Sequence, residues 1–358
     1  MNRFARSLHS ALAGAGSSPN LVFSPASVAL ALAMAGEGAA GTTAAQIDAV
    51  LPRNARSELT RAVRALTGLT ELDLTVAIAN AMFVQRGYRL GEPFVDALRS
   101  TYDTAPRLVD YAADPERARQ GINAWVDEVT RHRIPALLPA GAIDVDTRLT
   151  LVNAIYMKAR WQFPFSASAT ADADFTCSDG VVRSVPTMHL VAGLPYAVGD
   201  GWRSVALPYL PGSLTMQIVV PDAGKPLTTA VDVAASTLPT GRTRVALAMP
   251  RFEVETAASL AQPLRELGMA DAFALSTADF SGITTAEPMC IGEVVHQANI
   301  TVDEDGTEAA AATATAMAGA GMPIDPPLEL RVDRSFAFAV HDIAGGAVLF
   351  LGHVGNPA

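Results

Sequence analysis

The feature that most constrains this fold is a run in the middle of the chain that is apolar on both of its alternating faces. In "TRLTLVNAIYMKARW" (147–161), Leu, Ile, Val, Ala and aromatic side chains occupy odd and even positions alike. A strand that alternates polar and apolar residues can leave one face in water, but this one cannot. The run therefore predicts a strand that is covered by other structure on both sides.

Helical periodicity dominates before this run, and strand patterns dominate after it. Phe4, Leu8 and Leu12 are spaced for an amphipathic first helix, with arginines between them. Further segments with a 3.6-residue period are 27–35, 43–51, 92–102 and 116–132. The later strand patterns are 214–221, 243–255, 328–342 and 346–355, with a helix at 259–269 among them. Because no linker or repeat divides the 358 residues, we predict one α+β domain.

Composition excludes several classes of partner. The net charge is −10, and Lys158 and Lys225 are the only lysines beside 24 arginines among the 26 basic residues. A nucleic-acid partner is therefore not expected, because it would require a basic surface. No window approaches the ~20 apolar residues of a membrane helix, so no membrane partner is expected either. The Lys-poor, Ala- and Arg-rich usage is typical of a GC-rich bacterial genome.

The two cysteines and the N-terminus bear on the compartment. Cys177 and Cys290 can make no disulfide framework and lack zinc-ligand spacing, so we predict two reduced thiols and no bound metal or other cofactor. The N-terminus does not gather its apolar residues into the block of a signal peptide. The sequence therefore leaves the localisation open between the cytoplasm and a secreted protein whose export signal has been removed.

Two motifs suggest a ligand and fail on their context. "GEGAAG" (36–41) fits a dinucleotide-binding glycine turn, but a helical pattern precedes it where that turn requires a strand. "DEDG" (303–306) suggests a calcium loop, yet the first and twelfth positions would be Thr301 and Ala312, which carry no carboxylate. Neither motif predicts a binding site.

An enzyme is the weaker interpretation. Ser24, His296 and an Asp could assemble in space as a hydrolase triad, but nothing local activates Ser24, which precedes Pro25. No nucleophile elbow or zinc-protease helix is present. We therefore expect a protein that is not an enzyme.

A long run of Ala and Thr without proline extends from 307 to 318. It could be a flexible linker, an alanine-rich helix or an exposed loop that is able to become a strand. As a strand it would place its threonines and some of its alanines on one face and the single charge of Glu308 on the other. These three interpretations remain open at the level of the residues.

Four ordered blocks resemble the serpin family. "EDGTEAAAATAT" (304–315) resembles the hinge of the serpin reactive-centre loop, and "VVHQANITVDEDGTEAAA" (294–311) resembles the strand that leads into it. The remaining blocks are 20–47, which resembles the early block of the family, 151–165, its central strand, and 336–357, its C-terminal signature. The resemblance extends over essentially all of the chain.

The resemblance implies a fold and a mechanism. The fold is α+β in a single domain, 1–358, with three β-sheets, a large central sheet, about eight or nine helices and an exposed reactive-centre loop at about 304–327. The function is suicide inhibition of serine proteases: the loop is cleaved, an acyl-enzyme forms, and the loop inserts into the central sheet of a metastable molecule. The alternative is a non-inhibitory serpin-fold binding or carrier protein, in which bulky, charged or proline residues often replace the small hinge residues.

The resemblance also implies roles for individual residues. The hinge comprises Glu304, Gly306, Thr307, Glu308, Ala309, Ala310, Ala311 and Ala312. The shutter beneath the central strands comprises Ser24, Ser27, Asn153 and His296, and Trp161 lies at the breach where the loop enters. Family spacing places the reactive bond between Ala320 and Gly321, with Met317 and Met322 as rival positions.

The expected partners follow from that bond. A small or apolar side chain at the cut suits serine proteases that are elastase-like, subtilisin-like or chymotrypsin-like rather than trypsin-like. The resemblance further implies a monomer, and an extracellular location if an export signal was removed.

Overall fold

The computed structural model describes residues 2–16, 18–51, 70–71, 74–307 and 326–358. Within these residues it contains seven α-helices: α1 (Asn2–Ala15), α2 (Pro25–Gly36), α3 (Gly41–Val50), α4 (Glu92–Tyr102), α5 (Pro115–Val129), α6 (Leu227–Ala234) and α7 (Ala261–Glu266). The hinge residues from Glu308 to Ala312, the expected reactive bond at Ala320–Gly321 and the rival positions Met317 and Met322 lie outside the described residues.

Two of the helices show how the sequence places them. The predicted apolar stripe of α1 is buried, with Phe4, Leu8 and Leu12 at 4%, 0% and 6% exposure. Helix α2 begins after Ser24, whose hydroxyl accepts the backbone N–H of Ser27, and Pro25 occupies its first turn. Every residue of α2 is buried, which places this helix inside the molecule.

Sixteen strands are described, and they form two hydrogen-bonded sheets. The strands are β1 (Asn20–Phe23), β2 (Thr70–Glu71), β3 (Leu74–Gln85), β4 (Arg107–Val109), β5 (Leu149–Arg160), β6 (Ala171–Thr176), β7 (Val182–Gly199), β8 (Trp202–Pro208), β9 (Leu214–Pro221), β10 (Arg242–Pro250), β11 (Phe252–Ser259), β12 (Glu293–Val302), β13 (Gly306–Thr307), β14 (Leu328–Arg331), β15 (Phe336–Asp342) and β16 (Val348–Val354).

The central sheet has the strand order β11-β12-β13-β5-β3-β2, with β4 beside β3. Strand β5 lies in its interior and is buried on both faces, as predicted from its sequence. Leu151 and Ile155 of β5 join the core cluster that contains α2, while Val152 and Ala154 join a second cluster that contains α5. The central sheet is therefore a middle layer between helices.

The other sheet divides into two parts because the long strand β7 passes from one to the other. Residues 187–195 of β7 pair with β10, and β14 follows at the edge, with β6 on the opposite side of β7. Residues 196–199 pair with β8, which continues through β9, β15 and β16 to β1. Together with the central sheet, this gives the three-sheet architecture that the family resemblance implies.

Several predicted elements differ in extent. The segment 243–255 is two strands, β10 and β11, which separate at Arg251 and enter different sheets. The segment 328–342 likewise divides into β14 and β15, and the helix at 259–269 is shortened to α7 because its first residue belongs to β11. The two strand predictions were wrong about continuity because a chain that passes from one sheet to another can keep its period-two pattern through the corner.

Two consecutive non-glycine residues after α5 have left-handed backbones. Arg131 has φ 56° and His132 has φ 63°, a region that costs a side-chain-bearing residue about 1–2 kcal/mol. His132 Nδ1 also lies 2.7 Å from Asp127 Oδ2, and this contact contributes little because the imidazole is exposed to solvent. We expect His132→Gly to raise the free energy of unfolding by about 1 kcal/mol. Urea unfolding measures this effect. The matched control is His132→Ala, which also removes the imidazole but keeps a Cβ on the left-handed backbone. Equal midpoints for the two variants would contradict the argument.

Candidate functional site

The most informative region is the end of β12, where the chain leaves the central sheet and immediately re-enters it. Strand β13 lies between β12 and β5 and is antiparallel to both: Thr307 pairs with Val302 on one side and with Ala159 on the other. In the residues that precede this point in each strand, β12 and β5 pair directly and in parallel, over Glu293–Asn299 and Thr150–Tyr156. Gly306 and Thr307, which belong to the expected hinge, therefore lie between two strands of the central sheet and pair with both of them.

Gly306 is required here by the close approach of the neighbouring strand. A Cβ on this residue would overlap the backbone oxygen of Ala159 and would lie 2.8 Å from the Cα of Arg160. These are backbone atoms of β5 and cannot move aside, so only glycine fits at this point of the hinge.

Thr307 is fully buried and contacts an aromatic pair. Its hydroxyl lies 2.6 Å from the hydroxyl of Tyr209, and its exposure is 0%. The ring of Tyr209 stacks on that of Trp161 with 4.3 Å between centroids and 15° between planes. Burial raises the pKa of Tyr209, so its hydroxyl stays protonated and can serve this hydrogen bond.

Trp161 also holds the turn that leads to the hinge. Its Nε1 donates to the carbonyl of Asp303 at 2.9 Å, and its backbone N–H donates to Asp305 at 2.9 Å. The indole is 2% exposed, so these bonds lie in a desolvated environment where they are strong. Trp161, which is predicted to lie at the breach, thus contacts the turn that precedes Gly306 and Thr307.

Glu304 is anchored by Arg251, which lies between strands β10 and β11. Arg251 donates through Nε at 2.8 Å and through its terminal nitrogen at 2.5 Å to the carboxylate of Glu304, which also accepts the hydroxyl of Thr170. Burial alone would raise the pKa of Glu304, but the bonds from Arg251 and Thr170 outweigh it and lower that pKa. A bidentate pair of this kind fixes both position and orientation.

The four predicted shutter residues lie together beneath the middle of the central sheet. His296 Nδ1 donates to Asn153 Oδ1, and Asn153 Nδ2 donates to the hydroxyl of Ser27. The backbone N–H of Ser24 donates to His296 Nε2 at 3.1 Å. Asn80 on β3 completes the cluster by accepting from both Ser27 and Asn153. The cluster joins α2 to strands β3, β5 and β12, and β5 and β12 are the two strands between which β13 lies.

The same geometry removes the hydrolase alternative. His296 touches the backbone of Ser24 rather than its hydroxyl, and its second ring nitrogen faces an amide instead of a carboxylate. Both residues have 0% exposure, so no substrate can reach them. Ser24, His296 and an Asp therefore do not form a triad.

The neutral state of His296 predicts an acid-sensitive fold. Burial lowers the pKa of His296 from 6.5 to about 3, since one nitrogen must accept the N–H of Ser24. The unfolded chain takes up a proton below pH 6.5 while the folded protein does not, so stability falls from pH 6.5 towards pH 3. We expect this residue alone to remove about 3 kcal/mol between pH 7 and pH 4.5.

The measurement is urea unfolding at those two pH values. His296→Asn, which keeps a donor and an acceptor but cannot titrate, should lose less stability on acidification than the parent. His189→Gln, at an exposed position, should leave the loss unchanged. An identical acid loss in the His296 variant and the parent would show that the buried imidazole is not responsible. Burial also lowers the pKa values of His9 to about 3 and of His341 and His353 to about 4.

Sequence reasoning missed four residues of this site: Asn80, Thr170, Tyr209 and Arg251. All four act through contacts that are distant in sequence, such as the pair of Tyr209 with Thr307, 98 positions apart. A signal existed for Arg251 alone, since an arginine directly after Pro250 interrupts an apolar strand pattern.

Comparison with known proteins decides the family. Residues 1–357 match the family model described as "Serpin (serine protease inhibitor)". This chain belongs to the serpin family. Its α+β fold is accordingly the serpin fold, and serpins are in general protease inhibitors rather than enzymes.

Relatives of this serpin come from distant organisms. An uncharacterized serpin-like protein of Thermococcus kodakarensis is 35% identical over 100% of this chain and 85% of its own length. The leukocyte elastase inhibitor of Bos taurus is 34% identical over 99% of this chain and 98% of its own. The crystal structure of Serpin48 of Tenebrio molitor is 28% identical, with a TM-score of 0.85, over 99% of this chain and 96% of that one. The bacterial source suggested by composition remains a prediction.

Helix length and the grouping of side chains bear on membranes and metals in the described part of this serpin. Its helices are all too short or too polar to cross a bilayer. Its His, Cys, Asp and Glu side chains form no group of three that could hold a metal ion. Both cysteines are free thiols, Cys177 buried and Cys290 partly buried.

Proposed function

We propose that this serpin inhibits serine proteases as a suicide substrate. The protease attacks the loop between β13 and β14 and forms an acyl bond to the residue before the cut, which we place at Ala320. The freed loop then extends β13 down the central sheet and carries the protease with it. The observation that supports this proposal most is the position of Gly306 and Thr307, which already pair with both β12 and β5.

The residues near the boundary between β5 and β12, where the loop would insert, suit this movement. Strand β12 ends in a turn held by Trp161 and Glu304, so the start of the inserted strand is fixed in register. The face that Thr307 begins continues, in an alternating strand, with Ala309, Ala311 and Thr313, which are small. Small side chains can enter a closed core without the overpacking that larger ones would cause.

A barrier must keep the intact molecule from inserting its loop spontaneously. Helix α5 packs on the central sheet, with Ile122 and Val126 in the same hydrophobic cluster as Val152 of β5 and Val295 of β12. Opening the sheet separates these contacts together with the hydrogen bonds of the buried Ser27–Asn153–His296 cluster. We assign the shutter role to that cluster, because it bridges the strands that must part.

The experiment that tests the proposal is incubation with elastase, subtilisin, chymotrypsin and trypsin, followed by a denaturing gel and mass spectrometry. We expect a covalent adduct with one of the first three that lacks residues 321–358, the last 38 of the chain. Cleavage by all of them without any adduct would favour the alternative, a non-inhibitory serpin-fold binding or carrier protein.

The partner class also follows from this proposal. Proteases with shallow or apolar primary pockets should give the adduct, because Ala320 and its rivals Met317 and Met322 are small or apolar. A single tethered protease requires no second copy of the inhibitor, so we propose that the protein acts as a monomer.

A further inference from the structure

A cavity of about 430 Å³ lies beside the C-terminal end of helix α1. Its walls come from the last turn of α1, from β1, from residues 255–259 of the edge strand β11 and from the start of α7. We refer to it as the α1 cavity. The proposed loop insertion takes place between β12 and β5, on the other side of β12 from β11, so it does not use this cavity.

The walls of the α1 cavity are largely apolar. Leu12 of α1 and Leu21 of β1 are buried, and so is Pro263 of α7. Ala13 and Ala257 are exposed and leave the mouth of the cavity open. Clefts that bind small molecules enclose about 300–1,000 Å³ and have predominantly apolar walls. The α1 cavity therefore has the size and the surface to hold a small molecule with an apolar body.

Most polar side chains of the lining are already used by the protein. The side-chain amide of Asn20 bonds to backbone groups just after β16. The hydroxyl of Thr256 accepts the backbone N–H of Val22, and the hydroxyl of Ser259 donates to a carboxylate at the start of β12. These groups fix the walls and have little hydrogen-bonding capacity left for a ligand.

His353 of β16 is the exception. Its side chain lines the cavity, is 8% exposed and places Nδ1 2.9 Å from Nε2 of His9. Its own Nε2 has no hydrogen-bond partner among the described residues. Burial lowers the pKa of His353 to about 4 and that of His9 to about 3, so both rings are neutral at pH 7. When Nδ1–H of His353 donates to His9, the lone pair of Nε2 is available to a donor in the cavity.

The charges around the α1 cavity favour a cation. The C-terminal end of α1 carries the negative end of the helix dipole, and its last turn contains no basic side chain. Glu255 of β11 belongs to the lining, and one of its carboxylate oxygens accepts from Gln297 Nε2 at 2.6 Å. The lining contains neither arginine nor lysine. An anion is therefore repelled here, whereas an ammonium ion is attracted and can also donate to the neutral imidazole.

We propose that the α1 cavity binds a small organic cation, an alkylammonium or arylalkylammonium ion. Its ammonium group donates to Nε2 of His353 and is attracted by the carboxylate of Glu255. Its apolar body contacts Leu12, Leu21 and Pro263. The site does not depend on the proposed function, because none of these residues takes part in loop cleavage or insertion.

The test uses phenethylamine as the probe. Binding at pH 7 is followed by NMR through the imidazole nitrogens of isotope-labelled protein, in which His353 is identified by its contact with His9. Phenylethanol and phenylacetate serve as ligand controls, because they keep the ring and the two-carbon chain but are neutral and negatively charged, respectively.

Two variants of the protein locate the site, and each has a matched control. Glu255→Gln removes the carboxylate of the lining, and Glu253→Gln removes an exposed carboxylate of the same strand outside the lining. Ala257→Trp fills the mouth of the cavity, and Ala171→Trp places the same side chain on an exposed position of β6. Circular dichroism melts verify that the variants are folded.

We expect phenethylamine to shift the Nε2 signal of His353 saturably, with a Kd on the order of 1 mM. Phenylethanol should bind about tenfold more weakly, because it loses the charge-assisted hydrogen bonds, and phenylacetate should not bind. Glu255→Gln should weaken phenethylamine binding about 3- to 5-fold. Ala257→Trp should weaken it more than about tenfold, since the ring no longer has room. Both control variants should match the parent.

The parent protein alone can overturn the site. The site is excluded if phenethylamine well above that Kd leaves the His353 signal in place, or if phenylacetate binds as tightly as phenethylamine. Shifts confined to the exposed imidazoles of His132 and His189 would place the binding elsewhere and would also overturn it. Parental affinity in folded Ala257→Trp would contradict the position of the ligand.

Discussion

Replacing Thr307 by Arg is expected to abolish the covalent adduct while the loop is still cleaved. Thr307 is fully buried between β12 and β5, with its hydroxyl against Tyr209. An arginine at this position would have to bury its guanidinium. Among the described residues, no carboxylate contacts position 307 to pair with that charge. Desolvating an unpaired charge costs several kcal/mol, so the strand cannot begin at this point.

The competition between insertion and deacylation makes this effect large. Once the acyl-enzyme has formed, the protease escapes by hydrolysis unless insertion is faster. A barrier raised by about 3 kcal/mol slows insertion more than 100-fold. We therefore expect the adduct yield to fall below detection and the cleaved inhibitor to accumulate, measured on a denaturing gel at increasing ratios of protease.

A second substitution separates charge from hydrogen bonding at this position. Thr307→Val keeps the shape of the side chain and loses only the bond to Tyr209, so it should still form the adduct. If Thr307→Arg gave the parental adduct yield, the loop would not insert through this entrance, and the proposed function would lose its main support.

The sequence predicted the fold best where one local pattern had one cause. Strand β5 was placed to within two residues at its start and one at its end, because burial on both faces leaves a continuous apolar run that little else produces. Helix α4 matched its predicted bounds because Pro93 near its start and an amphipathic stripe mark it unambiguously. Strand β3 was not predicted, since its alanines and asparagine are compatible with a helix until β5 pairs with it.

The candidate site was only partly accessible for a related reason. The sequence could predict that Gly306 belongs to the hinge. It could not predict that the backbone of β5 fills the space that a Cβ on this residue would need. The anchor of Glu304 is Arg251, 53 positions away. Arg251 lies between β10 and β11, in a segment that the sequence predicted to be a single strand. Periodicity reports which face of an element is buried and not which distant residue it meets.

Cleavage of the loop is expected to make this protein more stable instead of less. In the intact molecule β12 and β5 share one parallel ladder, Glu293–Asn299 with Thr150–Tyr156, and insertion must break it. The inserted strand then pairs with both neighbours in the antiparallel sense already adopted by Thr307. About seven hydrogen bonds are lost and about twice that number gained, which at ~1 kcal/mol each leaves a net gain of about 7 kcal/mol.

This gain corresponds to a measurable change in melting temperature. For a chain of 358 residues the entropy of unfolding is about 0.75 kcal/mol/K, so the midpoint should rise by about 9 °C. The experiment nicks the loop with a low ratio of subtilisin, blocks the protease with a small inhibitor and compares circular dichroism melts of intact and nicked protein. Nicked Thr307→Arg is the control, because its loop is cut but cannot enter the sheet, and it should melt no higher than its intact form. Equal midpoints for the intact and nicked parent would mean that the central sheet gains no strand, since a severed loop left in solvent adds no hydrogen bonds to either β12 or β5.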